Sequence, residues 1–336
     1  MKTRVRMLLV AGMLVLSTAT VLACIWDTDT LAAENARLPG VAELITGQFP
    51  RHSQTFHEWR RDRCKKLIGS GAANVSTYDD LAVSLHKLGD HKTAIQIMEA
   101  KELLFPGLYE TRSNLGTFYI YTGQLDEALK YIRQALAINA NAHFGREKYQ
   151  QWLVEWIQER EKAKPEHTKD DVSADYARAM GKPAGFADFV ARKEHGIKHG
   201  AGEAKLTLRQ LDDAIHGVSG MMRFADYDNP LLLEAMGDLL LAGDLKTNAA
   251  QLACISYLHA SMKAKSDAEK ERLISLATSA GLVTLDFKLE RYQKRLQTDL
   301  AKGQKLFQQV NQDETAWIAA GKDAGAEFQK KYLASK

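Results

Sequence analysis

The sequence predicts an all-α fold: a solenoid of antiparallel helix pairs followed by a further helical region with a degenerate repeat. Three observations carry this. Leu, Ala, Lys, Glu and Gln dominate, residues that keep most of their rotamer freedom in a helix, and only six prolines interrupt 336 residues. The chain also matches itself at an offset of 34: Leu81 falls on Leu115, Ala82 on Gly116, Leu85 on Tyr119, Gly89 on Gly123, Ala94 on Ala128 and Met98 on Ile132. A period of that length with small residues at fixed places marks a helix-turn-helix repeat. Apolar residues three and four apart then continue on both sides of the matched region.

Taken in order, residues 1–23 read as a signal peptide. Lys2, Arg4 and Arg6 form a basic start, Met7 to Leu16 an apolar stretch, and Ser17 to Ala23 a mostly small-residue segment. Val21 and Ala23 suit cleavage before Cys24. Val-Leu-Ala-Cys also resembles a bacterial lipoprotein box, in which Cys24 carries the lipid. An uncleaved anchor over Met7–Trp26 is a third reading, since a bilayer needs about 20 residues. Each reading predicts an exported body, in the periplasm, in the cell envelope or secreted, tethered in two of the three cases. Removing residues 1–23 takes three basic residues and no acidic one, so formal net charge falls from +3 to 0. A neutral body gives no reason to expect nucleic acid.

An N-terminal extension follows over 24–52, then a repeat domain over 53–162. "TFHEWRRDRCKKLI" (55–68) places Phe56, Trp59, Arg63 and Leu67 at helical spacing and predicts a leading cap helix. In each repeat, Ala82 or Gly116 permits close helix approach, Gly89 or Gly123 the turn, and Ala94 or Ala128 the crossing of the second helix. Pro106 closes the first unit, where the second has Ala140. Residues 75–142 resemble two tetratricopeptide repeats, about 75–108 and 109–142. That resemblance implies a right-handed stack of helix pairs that holds a peptide or helix in its concave groove. "REKYQQWLVEWIQER" (146–160) occupies the frame of a third first-helix and closes the stack.

Residues 163–203, with "KAKPEHTKDD" at their start and "GKPAGF", predict a linker or irregular region. The C-terminal helical domain spans 204–336. Thr207 with Gln210 forms a capping box, Asn229-Pro230 starts the next helix, and Gly237, Gly243 and Ala249 echo the repeat. Ser266 with Glu269 caps a further helix that ends at Gly281, and helices over 284–311 and 314–333 finish the chain.

Residues that could carry chemistry were set against simpler roles. His86 and His91 straddle the turn at Gly89, and the repeat replaces them by Ile120 and Leu125, so they read as decoration on a bend. His195 and His199 are four apart but flanked by Gly196 and Gly200, which predicts an exposed loop. "CIWDTDTL" resembles the aspartate motif of haloacid-dehalogenase-like phosphatases, with Asp27 and Asp29 as nucleophile and acid. It lacks downstream partners and reads instead as a tether. "WRRDRCKK" (59–66) reads as a solvated basic face. Cys64 and Cys254 could pair, or stay as two buried thiols, the simpler outcome. No phosphate loop, nucleophile elbow or zinc-helix motif occurs.

What remains is the groove. The resemblance puts Asp79, Val83 and Lys87, then Ser113, Asn114, Thr117 and Tyr121, then Glu147, Lys148 and Gln151 on the concave side. A protein or peptide partner is expected there, with no catalytic residue, no metal and no cofactor. The combination of leader, repeats and helical tail also resembles secreted or envelope-anchored bacterial repeat proteins. The alternative is an enzyme or metal-binding protein with its site in the C-terminal half and the repeats used for docking.

Overall fold

A computed structural model describes residues 25–34, 36, 38–140, 142–162, 185–197, 204–243 and 247–334, and among these no strand occurs. The leader (1–23), Cys24, His199 and most of the expected irregular region lie outside the described residues. No helix among those described is long and apolar enough to cross a membrane.

Two short helices, α1 (Thr28–Glu34) and α2 (Val41–Ile45), precede α3 (Gln54–Gly69), which Ser53 caps through Phe56 N. The repeats are α4 (Val75–Lys87) with α5 (His91–Leu104), and α6 (Tyr109–Tyr121) with α7 (Leu125–Ile138). Gly89 and Gly123 adopt φ of +87° and +75° at the two inner turns, a region L side chains rarely enter. At Gly116 an added Cβ would lie 2.7 Å from Ile132 Cγ1, so the second pair packs as closely as the small-residue pattern predicts. α8 (Arg146–Lys162) follows and packs on α7 as the third first-helix.

The expected irregular region contains a helix, α9 (Phe186–His195), ended by Gly196 at φ +64°. The apolar face of Phe186, Phe189 and Val190 is buried, and Asp238 accepts the Phe186 N–H at 2.7 Å. Pro183 and Gly185 before it and Gly196 and Gly200 after it flank this ten-residue amphipathic segment, so composition alone does not reveal it. His195 sits in the last turn of this helix, exposed as expected, rather than in a loop.

α10 (Leu208–Phe224) begins with the expected Thr207–Gln210 box and α11 (Pro230–Leu241) with Asn229. α11 pairs with α12 (Thr247–Met262), with Gly237 against the Tyr257 ring, and α13 (Asp267–Gly281) is capped by Ser266. The last part differs from expectation. A single helix, α14 (Leu289–Ala319), runs through 311–314, because no glycine or proline stands there to stop it; Gly321 at φ +70° does. The short α15 (Ala324–Phe328) follows, with one wider turn over Gln329–Leu333.

α14 decides the architecture. It packs against α12 and also against α3, so the chain returns to its first cap helix. Gly303 lets it cross the backbone of Thr46, whose carbonyl would lie 2.3 Å from an added Cβ. Glu314 accepts the Ser53 N–H at 2.9 Å and holds His52 Nδ1 at 2.6 Å. One hydrophobic core runs from Ile25 to Leu296, across the boundary drawn at 204.

Candidate functional site: a repeat groove filled by the N-terminal segment

The concave residues do not face an open groove. Asp79, Val83, Ser113, Asn114, Thr117 and Glu147 are buried. Asp79 pairs with the fully buried Lys101, its oxygens 2.7 and 2.6 Å from Nζ, and burial still pushes its carboxyl up to about 7. Thr117 accepts from Gln150 at 3.4 Å, and Glu147 accepts the Tyr109 hydroxyl. Lys87 reaches the C-terminal half, donating to Phe224 O at 2.8 Å and Ala225 O at 2.6 Å. Tyr121 stands edge-on to His86, while Lys148 pairs with Glu194 and Gln151 donates to Glu155, each at 2.8 Å. The face that the resemblance assigns to a partner is polar, and residues of this chain already cover much of it.

Over Asn114 the cover is the stretch read as a tether. Trp26 N–H donates to Asn114 Oδ1 at 2.9 Å, and Asn114 Nδ2 donates back to Trp26 O at 2.9 Å. The planar amide thus grips the backbone N–H and C=O of one residue with no regard to its side chain. The Trp26 ring packs edge-on to Tyr109, beside Ala135 and Ala142. Thr28 donates its N–H and its hydroxyl to the two oxygens of Asp80, each at 3.0 Å.

Arg60 anchors the acidic residues of this segment. From within the expected basic face it turns inward, 5% exposed, with Nη2 2.8 Å from Asp27, Nη1 on Asp29 and Nε 2.7 Å from Ser84. Burial alone would raise the Asp27 carboxyl, but the guanidinium and Thr30 outweigh it and hold it below the usual range. Asp27 and Asp29 are therefore counter-ions of Arg60. Helical phase offered a signal in advance, since Arg60 lies four residues after Phe56 and four before Cys64, on the buried face of α3.

Against this geometry, the sequence profile of the tetratricopeptide repeat matches residues 110–149, from α6 into the start of α8. The chain carries a tetratricopeptide repeat. No curated protein and no solved structure matches it. Tetratricopeptide repeats are interaction modules, typically non-catalytic, and protein–protein interaction is the role this repeat supports. Its Asn114, on the first helix of the matched unit, is the residue that grips Trp26.

The turn histidines take a larger part than decoration. His86 is buried against Phe118, and its Nδ1 lies 3.0 Å from Nδ1 of His91, so one ring donates and the other accepts. Burial lowers the pKa of both, most strongly at His86. Among the described residues no group of three or more His, Cys, Asp or Glu is placed to hold a metal ion. Cys64 and Cys254 are separate buried thiols, raised by burial to about 11 and about 12.

Beneath the seated segment a cavity of about 240 Å³ remains, reached by Asp27, Asp29, His52, His57, Lys87 and Asp226 among others. Its residues come from four distant stretches: 25–33, 49–57, 83–87 and 222–227, with Phe307, Phe328 and Leu333 from the C-terminal end. No local pattern joins them, and the sequence reading missed the cavity for that reason. Asp226 shares hydrogen bonding with Asp228, and burial with this neighbour pushes it up to about 7. Burial lowers Lys87 to about 8.

Proposed function

We propose that the protein is a non-enzymatic interaction scaffold outside the cytosol, and that its repeat groove takes extended segments in the way Asn114 takes Trp26. The supporting observation is that side-chain grip on a backbone unit, with Arg60 placed for acids one and three residues further on. A partner segment would compete with residues 25–31 and would carry an aromatic residue followed by that acidic spacing. Main-chain hydrogen bonds supply affinity in such recognition and side-chain pockets the specificity.

Export rests on the basic, apolar and small-residue order of residues 1–23. Processing before Cys24 would leave Ile25, 1% exposed, as the second residue of the mature chain. A lipid on Cys24 would then hold the repeat stack directly at the membrane surface. Mass spectrometry of the mature N-terminus distinguishes a lipid, a simple cut and a retained anchor.

The groove reading is tested with a labelled peptide of residues 25–31 and the variant Trp26→Gly/Asp27→Gly, which loosens the resident segment. The peptide is expected to bind this variant saturably and to lose binding when Asn114→Ala is added. Absence of binding to the loosened but folded variant overturns the reading. The alternative of an enzyme sited in the C-terminal half finds one favourable observation, the Asp226–Asp228 pair at the cavity.

A further inference from the structure

The cavity under the N-terminal segment carries more hydrogen-bond donors than its own acceptors use. Arg223 lines it, half-buried, with its guanidinium over the Phe224 ring and no hydrogen-bond acceptor among the described residues. Arg51 lines it too. One of its nitrogens donates to Gly47 O at 2.9 Å, and its plane lies 4.6 and 4.4 Å from the ring centres of Tyr227 and Phe307. Burial lowers both guanidinium groups, Arg223 to about 10, against the opposing pull of Asp226 and Asp228 on Arg51 and of Glu34 on Arg223.

Glu34 bears on Arg223 electrostatically but gives its hydrogen bond to Arg146, at 2.7 Å, and the acids that line the cavity are engaged elsewhere. Asp27 and Asp29 neutralise Arg60, and Asp226 is hydrogen-bonded to Asp228. His57, 8% exposed, lines the same cavity with its Nδ1 buried and unpartnered, and burial with neighbouring cations keeps the ring neutral. A buried polar atom without a partner costs about 1–3 kcal/mol, so such atoms normally meet something. The remaining wall is apolar, with Ile25, Phe49, Phe307 and Phe328 among it. The volume equals about eight waters at their liquid share, enough for a small ring bearing an acid group.

We propose that this cavity binds a small organic oxyanion, a carboxylate or phosphate on an apolar or aromatic body. Arg223 and Arg51 meet the anion, His57 Nδ1 meets a polar atom of the ligand, and the phenylalanines enclose its body. The ligand touches residues 25–33, so its occupancy strengthens the seat of the N-terminal segment.

The test uses the whole mature protein with benzoate for the carboxylate branch and phenyl phosphate for the phosphate branch, each followed by thermal melting and calorimetry. Inorganic phosphate serves as the control without a body. At tenfold excess over its Kd an organic probe is expected to raise Tm by about 3 °C. It should also slow hydrogen exchange at residues 25–33. Arg223→Gln, which removes no hydrogen bond among the described residues, is expected to weaken binding at least tenfold. Independently of any variant, iodide soaked into crystals should appear in the cavity. No Tm shift with either organic probe, an undiminished shift in a folded Arg223→Gln, inorganic phosphate binding as tightly as phenyl phosphate, or a cavity holding only water after the soak each overturns the proposal.

Discussion

Asn114 exchanges two hydrogen bonds with the backbone of one residue, accepting Trp26 N–H and donating to Trp26 O, both at 2.9 Å across 88 residues of chain. It is fully buried, so neither bond competes with bulk water. Asn114→Ala leaves the Trp26 N–H and C=O without this partner. At about 1–3 kcal/mol per orphaned buried group, a loss of about 3 kcal/mol is expected in urea unfolding. Exchange of the Trp26 and Thr28 amides should accelerate more than that of α12. Uniform acceleration would show that Asn114 supports the fold as a whole.

Lys101 and Asp79 form an ion pair with no solvent to share, Nζ standing 2.6 Å from Oδ2. Lys101→Met keeps the aliphatic length and strands the carboxylate, a change that costs about 3–5 kcal/mol for a buried pair. Asp79→Leu on that background should recover most of it, because an apolar pair of similar volume removes the stranded charge. A double mutant no more stable than Lys101→Met alone would mean that the cost comes from lost packing.

Gly303 stands in the middle of a 31-residue helix, where glycine is unfavourable by about 1 kcal/mol. The backbone of Thr46 and Gly47 occupies the place of its Cβ. Gly303→Ala should therefore lower stability by about 3 kcal/mol despite the better helix former. A more stable variant in chemical denaturation would remove this crossing from the account of how α14 docks.

His57 and His86 are buried neutral, burial being the main cause and nearby cations adding to it. Unfolded histidine takes up a proton near pH 6.5. Below that value the unfolded chain gains protons that these two folded rings refuse. Their contribution to stability is complete above about pH 6.5 and is lost as pH falls, by up to about 1.4 kcal/mol per unit for each ring. The ring signals of both should stay flat in NMR from pH 8 to 5.5, and His57→Leu should flatten the stability profile in that range. A normal titration of either ring near 6.5 would contradict its burial.

Much of this was legible before the structure. The 34-residue offset, the turn glycines and the caps Thr207, Asn229 and Ser266 are local signals, and each sits where its chemistry requires. The residues that the resemblance assigns to the groove are in large part buried, a result of contacts from chain segments far outside the repeats. The helix over Phe186–His195 and the unbroken α14 were missed because flanking breakers, or a break assumed without one, outweighed the apolar spacing.

By itself the sequence determined most of the helices and their pairing within repeats, because these depend on neighbours within one repeat length. The tertiary structure decided what fills the concave side. Trp26 meets Asn114, Asp27 meets Arg60 and Glu314 meets Ser53 across separations of 88, 33 and 261 residues. The basic run around Arg60 and the acids of "WDTDT" each look solvated alone. They become a buried ion pair only when residues 27–29 seat against α3 and the desolvated charges have each other as partners.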